Sequence, residues 1–395
     1  MTGEPWQNLN IGQLGRVVTG STPRTGDDAA WGDEIDFVTP TEMSYSDREP
    51  SKCRKLSASG MAALQRRVIP AGSTLFVCIG FSTGKVSQIF RPAITNQQVN
   101  ALIPNPSVVN ERFAYYLLRY KSVDIRAIAN GSTTPIVNKS MFQAVDVLLP
   151  SRREQEAIAD VLGVLDDKIA VNERIATTAD SMCDLIFQSR AQQCASVPMS
   201  QRLHPILGGT PDRKNESYWG GSIPWASAKD VVNATVGVLT STEEHITETA
   251  TQNSRAKTLR PGSVVLTARG TVGAVARMAM PAAINQSCYA FEPGRMPAAV
   301  LFHMVRSVSK SMLGMAHGTV FSTVNMKTFD HVEIPDFPAD VLDSLNGKLV
   351  SLHQLVVSHL QESRQLAALR DTLLPQLMSG RLRVKDAEKI VEDAT

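Results

Sequence analysis

Residues 208–225, GGTPDRKNESYWGGSIPW, repeat the pattern of residues 20–37, GSTPRTGDDAAWGDEIDF. The two tryptophans Trp31 and Trp219 are 219 − 31 = 188 positions apart. Further anchors keep the offset between 187 and 190: the turns at Gly72 and Gly262, Asn96-Gln97 and Asn285-Gln286, and the segments ending at Asn138 and Asn325. Because chance matches would not hold one offset along the chain, the sequence predicts a duplicated fold.

Each copy has the composition of a small mixed domain, at residues 1–150 and 198–337. Short runs of Val, Ile, Phe and Thr alternate with Gly, Pro, Asn and Ser, which is typical of strands and turns. We expect a strand at 73–79 with a hairpin partner at 86–90, and a helix at 111–128 that buries Phe113, Leu117 and Leu118. In the second copy the corresponding elements are strands at 264–267 and 273–277 and a helix at 298–313.

After each domain the apolar period becomes helical, at residues 151–197 and 338–380, and a tail follows at 381–395. Ser151 and Glu154 predict a capping box at the start of the first helix. A long apolar stripe needs a partner, and the other helix is the natural one, although two helices lying separately on their own domains are an alternative. The predicted seam residues are Ile158, Leu162, Leu165, Ile169, Ile175, Met182, Ile186, Leu345, Leu349, Leu352, Val356, Leu366 and Leu373.

The predicted fold class is therefore α+β. Two similar mixed α/β domains stand in a pseudo-two-fold arrangement, separated by two long antiparallel helices that form a coiled coil.

Composition excludes some classes of protein. The 395 residues are 43% hydrophobic and 20% charged with a net charge of +2, which is ordinary for a globular chain and excludes a histone-like polycation. No apolar run reaches the ~20 residues of a membrane span, and the first residues do not resemble a secretory signal. Five cysteines without a C-x-x-C pair indicate reduced thiols. We expect a cytoplasmic protein.

No catalytic or metal-binding motif is present. The sequence has no methyl-transfer tetrad, no H-E-x-x-H and no spaced Cys/His set, so we predict no catalytic residue and no metal site, with the histidines in packing or surface roles. Residues 80–87, GFSTGKVS, resemble a phosphate-binding loop, but the glycines are one residue too close and Val86 replaces the hydroxyl residue.

Polar turns with single basic residues suit contacts to DNA phosphates and base edges. The alternative for any one of them is a solvated turn or a buried polar clamp between strands. The candidates are Ser21, Thr22, Arg24, Ser82, Thr83, Lys85, Asn96, Gln97, Ser132, Thr133, Thr134 and Lys139 in the first half, and Arg213, Lys214, Lys229, Arg269, Thr271, Asn285, Gln286, Ser322 and Lys327 in the second.

Three features together resemble the specificity subunit of type I restriction-modification systems. They are the two openings that run from Gly-Ser-Thr-Pro and Gly-Gly-Thr-Pro to a tryptophan, the helix entry at 150–168, and the segment LRDTLLPQLMSG at 369–380. The resemblance covers nearly the whole chain. It implies two target-recognition domains that each read one half of a split double-stranded DNA sequence. It also implies that the helices dock two methyltransferase subunits, that motor-nuclease subunits complete the enzyme, and that S-adenosylmethionine, ATP and Mg²⁺ belong to those partners. The second helix entry at 338–342 lacks the Glu-Gln of the first.

Residues 154–193 form 40 residues of helix, or about 60 Å at ~1.5 Å per residue, against ~34–36 Å for a turn of DNA. We therefore expect half-sites about one to two turns apart, and unlike half-sites because the loops differ between the copies. Two other functions stay open at this point. One is a nucleotide-dependent enzyme built around Lys85, and the other is a scaffold that pairs proteins without reading DNA.

Overall fold

The computed structural model describes residues 6–24, 26–129, 135–317 and 324–394. Contacts divide the chain into two compact units. Unit 1 comprises residues 1–169 and 365–395, and unit 2 comprises residues 170–364. Each unit therefore contains one repeat together with part of each long helix. The predicted domain boundaries, which separate the helices from the domains, remain a prediction.

The strands are β1 Gln7–Asn10, β2 Gly15–Thr19, β3 Trp31–Val38, β4 Arg54–Leu56, β5 Thr74–Val77, β6 Val86–Gln88, β7 Ala93–Thr95, β8 Val99–Pro104, β9 Asp146–Leu149, β10 Ser196–Pro198, β11 Ile206–Leu207, β12 Trp219–Ala226, β13 Val238–Leu239, β14 Glu244–Ile246, β15 Val264–Thr267, β16 Val275–Met278, β17 Ala283–Ile284, β18 Cys288–Phe291 and β19 Glu333–Pro335. The α-helices are α1 Ile11–Leu14, α2 Ala58–Ala63, α3 Glu111–Ala127, α4 Lys139–Gln143, α5 Arg152–Ala191, α6 Ala228–Asn233, α7 Glu248–Asn253, α8 Ala298–His317, α9 Thr328–His331, α10 Ala339–Met378 and α11 Val384–Glu392. Short 3₁₀ turns lie at Asp28–Ala30, Gln65–Arg67, Met199–Gln201, Glu216–Tyr218 and Thr235–Gly237.

Unit 1 is built on a four-stranded antiparallel sheet in the order β2-β8-β5-β6. All four residues of β5 are buried, and α3 covers the sheet with Phe113, Leu117 and Leu118 inward, as the sequence predicts. A smaller sheet, β4-β3-β7, packs its own apolar cluster around Phe37 and Leu56.

Unit 2 repeats this topology. Its main sheet is β11-β18-β15-β16, extended by β13 in parallel with β16, and its small sheet is β14-β12-β17. The irregularity between Trp31 and Ile35 in β3 recurs between Trp219 and Ile223 in β12. The predicted hairpin partners pair antiparallel in both copies, β5 with β6 and β15 with β16. The duplication therefore extends to sheet order and local distortion.

The two long helices have 40 residues each and start 339 − 152 = 187 positions apart. In unit 2, Asn172 donates to Glu362, Ala176 and Ala179 share a cluster with Val356 and Leu360, and Cys183 and Phe187 share one with Leu345 and Leu349. Rising numbers on α5 thus meet falling numbers on α10, so the helices pack antiparallel. The alternative of two separate helices is excluded within each unit by these contacts and by an Asp166–Arg370 pair in unit 1.

One predicted seam residue is wrong. Met182 is 48% exposed, because the buried stripe of α5 runs through Ala179, Cys183 and Phe187 at steps of four. The other predicted seam residues are buried or half-buried: Ile158, Leu162, Leu165, Ile169, Ile175, Ile186, Leu345, Leu349, Leu352, Val356, Leu366 and Leu373.

Two details of the helix ends differ from expectation. The Ser151 hydroxyl accepts from the Glu154 amide at 3.4 Å, but the Glu154 carboxylate accepts from the Trp6 indole, so the capping box is only half formed. The predicted tail contains α11, whose Ala387 and Val391 are buried in the core of unit 1.

Candidate DNA interface

Four loop segments of unit 1 meet at one end of the main sheet. The turn after β2 is held to residues 95–99, since Gly20 donates to the Val99 carbonyl and Ser21 to the Thr95 carbonyl. The loop after β5 is joined to the segment before α4 through Gly80 N–H to the Pro135 carbonyl, 3.0 Å. Cys78 N–H donates to the Gln98 carbonyl at 2.7 Å, which links the two pairs. The main sheet therefore gathers predicted DNA contacts from distant parts of the sequence.

The side chains of the first two segments differ in availability. Thr22, Arg24 and Gln97 are exposed, and the Thr22 hydroxyl donates to the Gln97 amide oxygen at 2.6 Å. Ser21 is half-buried. A linked hydroxyl and amide at the surface offer the donor and acceptor groups that base edges require.

The Asn96 side chain, in contrast, is not accessible at the surface. It is 8% exposed, and its amide oxygen accepts from the Gln98 backbone N–H at 3.1 Å. In the second half the Asn285 side chain accepts from the Ser287 N–H at 3.1 Å, while Gln286 is exposed. Both asparagines thus close a turn, and the structure does not support base reading by them.

The loop at residues 80–85 carries a mixed surface. Thr83 is buried and its hydroxyl donates to the Gly80 carbonyl, so the prediction that it contacts DNA is wrong for this conformation. Ser82 and Lys85 are half-buried, and the Lys85 ammonium donates to the Pro40 carbonyl at 2.9 Å. Since β6 follows the loop instead of a helix, no helix N-terminus faces the position that a phosphate would occupy.

Unit 2 gathers its loops in the same way. Gly208 donates to the Cys288 carbonyl and Gly209 to the Ile284 carbonyl, Ala268 donates to the Ser287 carbonyl, and Val324 donates to the Ala268 carbonyl. A Cβ on Gly208 would lie 2.0 Å from the Asn285 carbonyl oxygen, and one on Gly20 would lie 2.2 Å from that of Asn96. The glycine that opens each repeat is therefore required by close backbone approach.

Several predicted basic residues of unit 2 have partners. Arg213 forms two hydrogen bonds to Glu244, which lower the pKa of that carboxyl group. The Arg213 guanidinium also stacks 3.8 Å from the Trp219 ring centroid. Lys229 pairs with Glu243 at 2.6 Å on the surface. The Arg213 side chain therefore stabilises its own loop. The remaining candidates Lys214, Arg269, Thr271 and Lys327 are exposed, as is Lys139 in unit 1.

Three further residues beside these loops are exposed and are not among the residues predicted from the sequence. Phe81 is 82% exposed at the tip of the 80–85 loop, Arg67 donates to the Thr19 carbonyl at 2.8 Å, and Arg126 lies against Gly84. Arg67 and Arg126 come from helical segments and only the fold brings them here. Phe81 could have been noticed as an aromatic residue inside a polar turn. Ser132, Thr133, Thr134 and Ser322 lie outside the described residues.

Polar clusters, buried in unit 1 and partly buried in unit 2, join the long helices inside each unit. In unit 1 the Tyr116 hydroxyl donates to Asp166 at 2.5 Å and Arg370 pairs with the same carboxylate at 2.5 Å. Burial, and then the Asp166 charge, raise the pKa of Tyr116 well above its ordinary value, so the phenol stays a donor. In unit 2 Asn172 donates to Glu362 and its amide oxygen lies 2.9 Å from His359 Nδ1.

The family described as "Type I restriction modification DNA specificity domain" matches the chain twice, at residues 3–179 and 203–339, once in each repeat. The chain belongs to this family. Specificity subunits of this kind recognise DNA for type I restriction-modification systems, as the resemblance of the two Trp-containing openings implies.

One curated relative and one solved structure match nearly the whole chain, and a further relative matches about a third of it. The type I restriction enzyme MjaIX specificity subunit of Methanocaldococcus jannaschii is 24% identical over 96% of this chain and 94% of its own length. The HindI specificity subunit of Haemophilus influenzae is 29% identical over 37% of the chain and 32% of its own. The S subunit of M. genitalium has a similar fold, with a TM-score of 0.57 at 14% identity over 95% of this chain and 96% of that one. No helix in the described part of this specificity chain has the length and apolar character of a membrane span.

Proposed function

We propose that each repeat of this specificity subunit reads one half of a bipartite DNA target and that the two half-sites differ in sequence. The observation that carries the proposal is the loop-bearing sheet end, built twice from the same backbone contacts but with different side chains. The loop Phe81-Ser82-Thr83 of unit 1 corresponds to the shorter Thr271-Val272 of unit 2. Because base readout depends on side-chain donors, acceptors and apolar groups, unlike loops read unlike sequences.

The direct contacts that we propose are the exposed members of each loop set. Gln97 with Thr22 and Gln286 would read base edges, while Arg24, Lys139, Lys214, Arg269 and Lys327 would contact phosphates. Lys85, Ser21 and Ser82 are half-buried and contribute at the margin of the unit 1 surface, while the exposed Thr271 adds a hydroxyl group to that of unit 2. Phe81, as an exposed aromatic ring in the loop, would pack against a thymine methyl group or a base face.

The remaining parts of the assignment concern partners. We propose that the helices dock two methyltransferase subunits and that a motor-nuclease joins them. The chain itself is non-catalytic, and S-adenosylmethionine, ATP and Mg²⁺ are used by those partners on DNA in the cytoplasm.

The test is an exchange of residues 198–337 with the corresponding segment of a relative that has a different target. Genomic methylation is mapped in cells that express the chimera with its methyltransferase. We expect one half of the methylated sequence to change and the other to stay. A change in both halves, or in neither, would contradict the proposal.

Single substitutions sharpen the test. Gln97→Ala should relax specificity in one half-site only and Gln286→Ala in the other, each by about 1–3 kcal/mol of base discrimination. Asn96→Ala and Asn285→Ala serve as comparisons, because their loss should lower stability and leave the methylated sequence unchanged.

A further inference from the structure

Three metal-ligand side chains converge in the interior of unit 2. Cys183 of α5, His303 of α8 and His353 of α10 are 0%, 1% and 6% exposed. The two histidines are hydrogen-bonded through their Nε2 atoms at 2.8 Å, and the Cys183 sulfur with one nitrogen of each ring forms a group whose members all lie within 4.8 Å. The residues are 303 − 183 = 120 and 353 − 303 = 50 positions apart, so no spacing motif reveals them.

The repeat shows what the same positions hold in unit 1. Subtracting 187 from His303 and His353 gives Tyr116 and Asp166, and adding 187 to Cys183 gives Arg370. These are the three residues of the buried network in which Asp166 accepts from Tyr116 and Arg370 at 2.5 Å each. In unit 1 this position is therefore filled by an ion pair with a hydrogen-bonded phenol, and one nitrogen of the Arg370 guanidinium has no partner among the described residues. In unit 2 it is filled by a thiol and two imidazoles, which are preferred ligands of Zn²⁺.

The surroundings of the cluster are kept in both units. Asp184 pairs with Arg306 in unit 2, as Asp371 pairs with Arg119 at 2.9 Å in unit 1, again at an offset of 187. In unit 2 the Asp184 carboxylate also lies 2.7 Å from His303 Nδ1. A carboxylate that holds the second ring nitrogen is the usual outer support of a metal-bound histidine, since it orients the ring.

The formal charges around the cluster are balanced. The charged groups that face it are Asp180, Asp184, Arg277 and Arg306, two of each sign. Donor atoms of a tetrahedral Zn²⁺ site are about 3.3–3.6 Å apart, which small side-chain rotations reach from this arrangement.

We propose that Cys183, His303 and His353 bind one Zn²⁺ ion, which ties α5, α8 and α10 together within unit 2. Three protein donors leave the fourth tetrahedral position to a water molecule, and the site does not depend on which DNA sequence the chain reads. It revises the expectation of no metal site that the sequence alone gives.

The experiment uses the full-length chain without a histidine tag. Zinc content is measured after dialysis against metal-free buffer, and the chelated protein is then titrated with Co²⁺. We expect one zinc per chain and a sulfur-to-cobalt charge-transfer band in the near ultraviolet. Cys183→Ser should abolish the band, and Asp184→Asn should weaken the metal affinity by about 10–100-fold. Cys288→Ser, which removes another fully buried thiol of unit 2, should keep both signals.

A second variant distinguishes a loss of zinc binding from a loss of the fold. The triple substitution Cys183→Arg, His303→Tyr and His353→Asp copies the unit 1 network into unit 2. We expect it to fold with a wild-type circular dichroism spectrum, to bind no zinc and to show a melting temperature that chelation does not change. Chelation should lower the wild-type melting temperature. A wild-type chain without stoichiometric zinc, or a Cys183→Ser variant that binds it as tightly, would overturn the proposal.

Discussion

The Asp166 carboxylate of unit 1 satisfies two buried donors from different elements. Tyr116 comes from α3 and Arg370 from α10, whereas Asp166 itself lies on α5. Burial alone would lower the pKa of Arg370, but Asp166 and Asp371 raise it above its ordinary value, so the guanidinium stays charged. Such a pair adds little net energy compared with an apolar replacement, yet losing one partner leaves an uncompensated buried charge.

Asp166→Asn should therefore cost about 3–5 kcal/mol of unfolding free energy, measured by denaturant titration. Its control is Glu156→Gln, which breaks the exposed Arg152–Glu156 pair on the same helix and should cost less than about 1 kcal/mol. Equal losses for the two variants would show that burial of the network does not determine its energy.

A second residue-scale prediction concerns Gly208. An alanine there must displace the Asn285 backbone, whose carbonyl oxygen would lie 2.0 Å from the new Cβ, so we expect a loss of about 1–3 kcal/mol. Gly294→Ala is the matched control, because no atom outside its own neighbours lies within 4 Å of the added carbon. Thermal unfolding compares the two, and a destabilised Gly294→Ala variant with an unaffected Gly208→Ala would contradict the close-approach argument.

At the scale of elements, tertiary packing determines which residues of α5 lie in the seam with α10. The apolar period of the sequence predicts these residues only approximately. Phe187→Ala should cost about 3–5 kcal/mol, because the ring is 1% exposed in the core of unit 2. Met182→Ala should change stability by no more than about 0.5 kcal/mol, since its side chain is 48% exposed. Urea unfolding of the two variants measures the difference, and a larger loss for Met182→Ala would restore it to the seam.

The elements that could be predicted are those with strong local signals. The repeat offset, the strand at β15, the helix at α3 and both long helices follow from apolar period and turn residues. Met182 was misplaced because a methionine four residues before Ile186 continues an apolar pattern, while the residue that packs is Cys183. His353 and Arg370 were missed because polar residues interrupt an apolar stripe, and only tertiary partners explain their burial. The split between buried Asn96 and exposed Gln97 depends likewise on the turn that the fold makes.

At the scale of the whole molecule, the net charge of +2 limits how many phosphates the chain can neutralise by itself. The exposed cations of the loop segments include Lys139 in unit 1 and Lys327 in unit 2. Affinity for DNA should then fall with salt in proportion to those few contacts, and tight binding should require the methyltransferase partners. This expectation rests on the proposed DNA interface and tests it quantitatively.

Binding of the isolated chain to a duplex is measured by fluorescence anisotropy over a range of salt concentrations. Lys139→Gln and Lys327→Gln should each reduce the slope of log affinity against log salt by about one, with equal loss for any DNA sequence. Lys385→Gln, an exposed lysine on α11 outside the loop segments, should leave the slope unchanged because its removal frees no phosphate contact. If Lys385→Gln had the larger effect, the phosphates would lie along the helices and the loop surfaces would lose their role.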